Sequence, residues 1–387
     1  MHRGTNLEAA APPGEAQPSV PWTEVLSGPP DDAALLAAWD DLAVGLGAPR
    51  SAPSCVLAWY RNVWRRPEQV RVVVARRADR VVGVWPLYFE RDSWGFVTYR
   101  MAGHQTIVGV EPLAAPDDVD ARRALVAGLA ELRPVPDRIE LECVADCFPW
   151  LEAAGSAFPA WRAQVDTDAS RAPYFRLDDR TYTSWVERRR PRAGKNVARY
   201  ARRLAEHGYV RRRFAEHTEI VERLPVLRRL YLDRKRARGG WGADFDDAML
   251  GMLTNLVADL AHDERAVLYT VEKDPSSIAA IDLVLIAGDN ANVWIGGVDN
   301  TFPQYSPGQV NLTEIIGDSH AHGLGVLSLG PGEEGYKARY STDAHAVVAT
   351  TLVRHSWNLR QLNTPATLLP RPARELARQV RARVRRA

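Results

Sequence analysis

AVLYTVEKDPSSIAAIDLVLIAGDNANVWIGGVDN, residues 266–300, decides the fold. Three apolar runs, Ala266–Glu272, Ser277–Ala287 and Ala291–Val298, are bounded by turn-forming residues and read as consecutive strands. Gly288, Asp289 and Asn290 join the last two runs. These residue types tolerate the left-handed backbone of a tight hairpin, so the strands are expected to pair antiparallel.

Working outward, helical spacing predicts helices over 216–238 and 246–261 before these strands and over 309–322 after them. A strand is expected at 209–214 and another at 326–329, the latter followed by a Gly-rich loop to Tyr336 and Lys337. Upstream, Tyr182–His207 reads as a basic helix, kinked at Pro191. The first part of the chain has a related order. Helices are expected over 31–46 and 53–64, a hairpin over 70–75 and 81–89 across a polar turn, a helix over 117–132 and a strand over 138–143. Both halves thus run helix, helix, hairpin, helix, strand, a pattern of duplication in an α/β (α+β) chain.

With 387 residues and 46% hydrophobic content, the chain is long enough for two cores. The expected division is a disordered Ala/Pro/Gly leader (1–21), an N-terminal unit (22–165), a C-terminal unit (166–355) with the basic helix at its start, and a basic tail (356–387). In that tail Leu376, Val380 and Val384 fall on one helical face. No apolar run approaches the roughly 18–20 residues that span a bilayer, so stable membrane insertion is not expected. Three cysteines, Cys55, Cys143 and Cys147, make an odd number in a long chain, which points to a reducing, cytoplasmic compartment. No second Cys or His pair at ligand spacing accompanies Cys143 and Cys147, which argues against a metal site. The chain also lacks a Ser/His/Asp order and a P-loop, the marks of a hydrolase or an NTPase. Net charge is only +2, yet 46 of the 50 cations are Arg, and the four Lys stand at 195, 235, 273 and 337.

Trp294–Gln309 (WIGGVDNTFPQYSPGQ), a helix, and then Ser328–Lys337 (SLGPGEEGYK) together resemble the acyltransferase family of the cellulose-biosynthesis protein CelD. That family belongs to the GNAT superfamily and is similar in its double-domain design to FemAB-type aminoacyl transferases. Trp85-Pro86-Leu87 and the segment Arg190–Gly208 support the resemblance, which covers roughly residues 22–353. It implies two tandem GNAT-like domains, each a mixed, mostly antiparallel sheet flanked by helices, and direct acyl transfer without metal. Acyl-CoA-dependent GNAT enzymes usually carry a Gln/Arg-x-x-Gly-x-Gly/Ala pyrophosphate loop at this place, but Tyr305–Asn311 (YSPGQVN) has only one glycine, Gly308. The donor is thereby left open between acyl-CoA and aminoacyl-tRNA.

The resemblance implies that Tyr336 protonates the leaving group and that Lys337 steadies developing negative charge, as FemAB-type enzymes use a lysine. A packed aromatic and a surface lysine are the plain alternatives. Asp299, at the end of a strand, is a candidate base or a turn residue, and Glu314 is the runner-up. Ser306, Gly308, Gln309 and Asn311 surround the start of a helix, where free amides suit a donor phosphate. Capping by Ser306 would explain the same residues. Arg188, Arg192, Lys195, Arg199 and Arg202 are spaced 4, 3, 4 and 3 apart and stack on one helical face. Like charges so placed destabilise an isolated helix, so binding of a phosphate-bearing substrate is the favoured reading over a solvated face. Trp241, in the Gly-rich loop 234–242, stacks on a sugar, base or acyl group in one reading and packs in the other. His104, with Gln105, faces the same cleft or serves a loop.

Three functions compete. The first is an acyl-CoA-dependent acyltransferase acting on an amine or hydroxyl of a small-molecule or saccharide acceptor. The second is a FemAB-like aminoacyl transferase partnered by tRNA, and the third is a non-catalytic nucleic-acid or membrane-surface binder.

Overall fold

The central hairpins form as their patterning requires. In this computed structural model, which describes residues 20–354 apart from 94, 105, 108, 146–149, 151–160, 166–169, 178–190, 238–244, 331–336 and 338–340, β10 (Ala266–Asp274), β11 (Ser277–Ala287) and β12 (Asn290–Val298) pair antiparallel. Leu268 lies opposite Leu283, and Leu283 opposite Ile295. Gly288 and Asp289 make the two-residue turn between Ala287 and Asn290, with Gly288 at φ +56°. Both faces of these strands are covered, which explains their near-continuous apolar sequence.

β9 (Val210–Phe214) adds to β10 antiparallel, and β13 (Val326–Ser328) adds to β12 parallel. The first half has β1 (Trp22–Ser27), α1 (Ala33–Gly45), α2 (Pro53–Trp59), β2 (Val70–Arg77), β3 (Arg80–Arg91), β4 (Val97–Met101), the short β5 (Leu113–Ala114), α3 (Val119–Gly128) and β6 (Arg138–Ala145). α2 continues as a π-helical turn over Tyr60–Trp64. The second half has α4 (Pro191–Glu206), β9, α5 (His217–Ala237), α6 (Asp247–Leu260), β10 to β12, α7 (Pro307–Ala321) and β13. Side chains start several helices where the sequence offers an acceptor: Asp32, Asp118 and Asp246 accept from Leu35, Ala121 and Met249 amides at 2.7–3.0 Å.

The expected duplication is present and goes further than a shared order of helices. β1, β2, β3, β4, β6 and β9, β10, β11, β12, β13 are laid side by side in the same sequence, and in each set the last pairing is parallel. Each half is therefore a mixed, mostly antiparallel sheet flanked by helices. The halves also join. β14 (Asp343–Arg354) pairs with β6, with β7 (Trp161–Val165) and with β8 (Ser170–Arg176), and β8 pairs with β13, so one hydrogen-bonded path runs through both sheets. A single apolar cluster likewise includes Trp39, Val56 and Trp59 of the first half and Met252, Leu253 and Leu283 of the second. Among the described residues, no helix is long and apolar enough to cross a membrane. The leader residues 1–19, the tail 355–387, and the part of the basic helix expected before Pro191 lie outside the described residues.

Candidate active site

β12 and β13 pair over three residues only, Asn290–Asn292 with Val326–Ser328, and then part. β12 runs on to Val298, paired on its other side with β11. The chain leaving β13 is drawn the other way, because the Leu329 amide bonds the Pro173 carbonyl on β8 at 3.0 Å. Among the described residues this leaves a wedge past Asn292, with no strand paired to that edge of β12 from Val293 to Val298.

Two buried cations meet at the apex of this wedge. Lys337 is 6% exposed and its Nζ donates to the Gly330 carbonyl at 3.4 Å. Arg50, from the 3₁₀ turn Pro49–Ser51 of the first half, is 7% exposed and donates through Nη2 to Oδ1 of Asn292, the last paired residue of β12. Gly330 is at φ +67°, and a β carbon there would lie 3.5 Å from Nη2 of Arg50. The glycine thus supplies both a left-handed bend and room for the guanidinium.

The far end of β12 leads to the start of α7. Ser306 sits in the left-handed region at φ 43°, and its carbonyl, rather than its hydroxyl, receives the first-turn amides of Gln309 (2.9 Å) and Val310 (3.3 Å). Side-chain capping by Ser306 is therefore absent, while Pro307 removes one amide from the turn. Gly308 packs against Val298, where a β carbon would approach Cγ2 to 2.9 Å. Asn311 points inward. Its Nδ2 donates to the Tyr269 carbonyl (3.1 Å) and to Oδ2 of Asp282 (2.8 Å), so the side chain read as a donor ligand joins α7 to the sheet. Oδ1 of Asp299 accepts from the amide and hydroxyl of Thr301 at 2.8 and 2.6 Å, an Asx turn at the end of β12. Glu314 forms an ion pair with Arg211 at 2.6 Å. His104 is half-buried in the turn after β4. Tyr336, Trp241, Gln105 and Arg188 lie outside the described residues, as do the side chains of Arg192 and Lys195 on α4.

Residues 189–338 match the acetyltransferase (GNAT) domain family. The second half thus carries a GNAT domain, and the chain is an acyltransferase. No curated protein matches it. Among solved structures it resembles FemX, with a TM-score of 0.57 at 13% identity over 87% of this chain and 96% of that one. It also resembles the C-terminal domain (DUF2156) of a putative lysylphosphatidylglycerol synthetase from Agrobacterium fabrum (TM-score 0.54, 11% identity, 83% and 92% covered). A third is L-PGS from Bacillus licheniformis (TM-score 0.51, 10% identity, 86% and 94% covered). At these identities the likeness is one of fold.

Within the GNAT domain, two further features escaped the sequence reading. Asp282 on β11 places its carboxylate over Gly296 of β12, where a methyl group would overlap it. Although part of the residue is exposed, burial of the carboxyl pushes its pKa up to about 7 against the opposing effects of the Asn311 bond and the Arg234 charge. An isolated Asp in an apolar strand carries no sequence signal of this kind. The second feature is a groove of about 420 Å³ between α4 and α7, floored by Leu204, Val271 and Val310 and flanked by the exposed Arg202 and Arg211. Arg199, one turn before Arg202's neighbourhood, is also exposed and lies over the Tyr200 ring at 5.4 Å.

Among the described residues, the parallel pair of the first half ends in ion pairs. There the last paired residues are Arg100 and Glu140, tied to each other at 2.6 Å and further to Glu90 and Arg138.

Proposed function

We propose that the chain moves an acyl group directly from a bound donor to a bound acceptor in the wedge between β12 and β13. The reading rests chiefly on one observation: a GNAT-domain match over strands β12 and β13, whose pairing ends at Asn292 and Ser328 close to the buried Lys337 beside Gly330. Holding two substrates in line can supply on the order of 7–11 kcal/mol of the barrier, so few side chains are required. In this proposal Lys337 steadies the oxyanion, Tyr336 returns a proton to the leaving group, and the first turn of α7 at Ser306, Gly308 and Gln309 receives a donor phosphate. Deprotonation of the acceptor falls to Asp299, whose turn bonds occupy Oδ1, or to water. Glu314 is neutralised by Arg211 and suits that task less.

Acyl-CoA is the donor in the first form of the proposal, with an amine or hydroxyl of a small molecule or saccharide as acceptor. The CelD-like motifs at 294–309 and 328–337 favour it. Exposed Arg199, Arg202 and Arg211 around the α4–α7 groove, and the single glycine at 308, favour aminoacyl-tRNA instead. Thermal unfolding separates the two. A donor present at about 100 times its Kd adds about 2.7 kcal/mol of stability. Stabilisation by acetyl-CoA supports the first form, stabilisation by charged tRNA alone supports the second, and neither, together with no transfer from either donor, refutes both.

A further inference from the structure

We infer that the groove between α4 and α7 is a second binding site, which takes a free aliphatic chain bearing one carboxylate, its charge against Arg202 and its chain along the apolar walls. None of the described residues that line the groove lies on β12, on β13 or in 328–337, so the inference goes beyond transfer in the wedge and does not depend on it.

The groove follows from the spacing of small residues on α4. Val197 and Leu204 are buried in one cluster with Val271 and Val310, which holds α4 against α7 and the sheet. Ala201 and Ala205, four residues apart and so on one helical face, line the space beside them with side chains too short to fill it. What remains is a cavity of about 420 Å³, within the roughly 300–1,000 Å³ that suits a small ligand. Its floor is nearly closed to water, and its accessible apolar walls are Ala201, Ala205 and Val210. Val210, at the start of the edge strand β9, is 43% exposed. A hydrocarbon chain laid against that wall removes apolar surface from water, which favours its binding.

Charge sets the head group. Arg202 lines the groove, is exposed, and makes no hydrogen bond or ion pair among the described residues. The other cation of the lining, Arg211, is answered by Glu314 at 2.6 Å. Around Tyr209 both signs meet: Lys273 lies over the ring at 4.9 Å, while burial, Asp299 and Asp274 raise the pKa of the hydroxyl. The described lining therefore carries one uncompensated positive charge, at Arg202, and a guanidinium there offers a carboxylate two parallel N–H donors. The same walls suit a strand of RNA less well. Bases bind by stacking on aromatic faces, and Tyr209, the one aromatic among the described lining residues, has Lys273 over its ring and Phe302 edge-on at 5.5 Å. The rest of the apolar lining is aliphatic.

The test titrates the full-length chain calorimetrically with octanoate, with acetate as the head without the chain and octylammonium as the chain with the opposite head. Octanoate should bind saturably at one site, and each of the other probes at least about tenfold more weakly, because each lacks the charge-assisted bond or the apolar contact. Arg202→Ala should weaken octanoate about tenfold. Ala205→Trp fills the groove and should abolish binding. If that variant misfolds by circular dichroism, Val210→Asp takes its place, since a carboxylate on the exposed wall repels the same probe. The inference is overturned if octanoate does not bind wild type saturably, if octylammonium binds as tightly, or if Arg202→Ala and the groove variant both retain wild-type affinity. A CCA-ended oligoribonucleotide that binds through Arg202 where octanoate fails assigns the groove to RNA and overturns it too. Failure here leaves transfer in the wedge untouched, and absence of transfer from either donor leaves the groove untouched.

Discussion

Lys337 and Arg50 are separated by most of the chain, and only one of them was visible beforehand. Lys337 stands out because lysine is scarce here and because it ends the motif Ser328–Lys337; Arg50 is one of 46 arginines and precedes an unremarkable helix. What singles it out is burial, and burial of a cation is a property of tertiary structure. Replacing Lys337 by Met should lower kcat by about 10²–10³-fold while circular dichroism stays that of the native chain, the loss typical of a removed oxyanion donor. Asp282 offers a test through pH. Its folded pKa, about 7, lies above the ordinary carboxylate value, so the folded state holds a proton that the unfolded state has released between about pH 4 and 7. The associated stability is complete below about pH 4 and lost as pH rises through 7. Asp282→Asn, neutral throughout, should remove this loss. Urea unfolding should show the variant gaining on the order of 1–3 kcal/mol relative to wild type between pH 5 and pH 8.

Among the elements, strand β10 is tied to α5 by a buried ion pair. Glu272, 1% exposed, takes both arms of Arg223 at 2.9 and 2.8 Å together with the Thr270 hydroxyl at 2.9 Å, and Arg223 lies over the Phe214 ring of β9 at 3.7 Å. Glu272→Ala leaves that guanidinium only the Glu219 carbonyl and the exposed Glu222 carboxylate and should cost about 3 kcal/mol in chemical denaturation, more than the loss expected from an exposed pair such as Arg203–Glu206. The elements with a strong local period were legible. The helices over 33–45, 217–237, 247–260 and 307–321, and the hairpins β2–β3 and β10–β12, fall where periodicity and turn residues put them. β1, β4, β7, β8 and β14 were not assigned. β4 is five residues long, β1 carries exposed polar positions, and β14 is specified by partners far away in sequence rather than by its own pattern. The same limit governs the site. Asp299 and Asn311 carry the right residue types at the right ends of elements, but where their side chains point depends on Thr301, Tyr269 and Asp282. α4 met its expected polarity in part, with Val197 and Leu204 buried and Arg199 and Arg202 exposed.

For the whole molecule, the shared apolar cluster and the strand that links the sheets bear on how the halves depend on each other. The first half alone would leave Trp39, Val56 and Trp59 without Met252, Leu253 and Leu283, and its sheet would end at β6 with an unpaired edge. Expressed by itself, residues 20–165 should aggregate or stay unfolded, and co-expression with the remainder should restore folding and transfer; independent folding of the fragment by tryptophan fluorescence would contradict this. The pairing of Arg138 with Val353 has a further consequence for synthesis. At roughly 5–20 residues per second, β6 waits on the order of 10–40 s before β14 is made. The ribosome must finish nearly the whole chain before the first half can close, so the nascent protein carries an open sheet edge through most of its birth. Chaperone depletion should therefore lower the yield of active protein while leaving unchanged the melting midpoint of the protein that does fold.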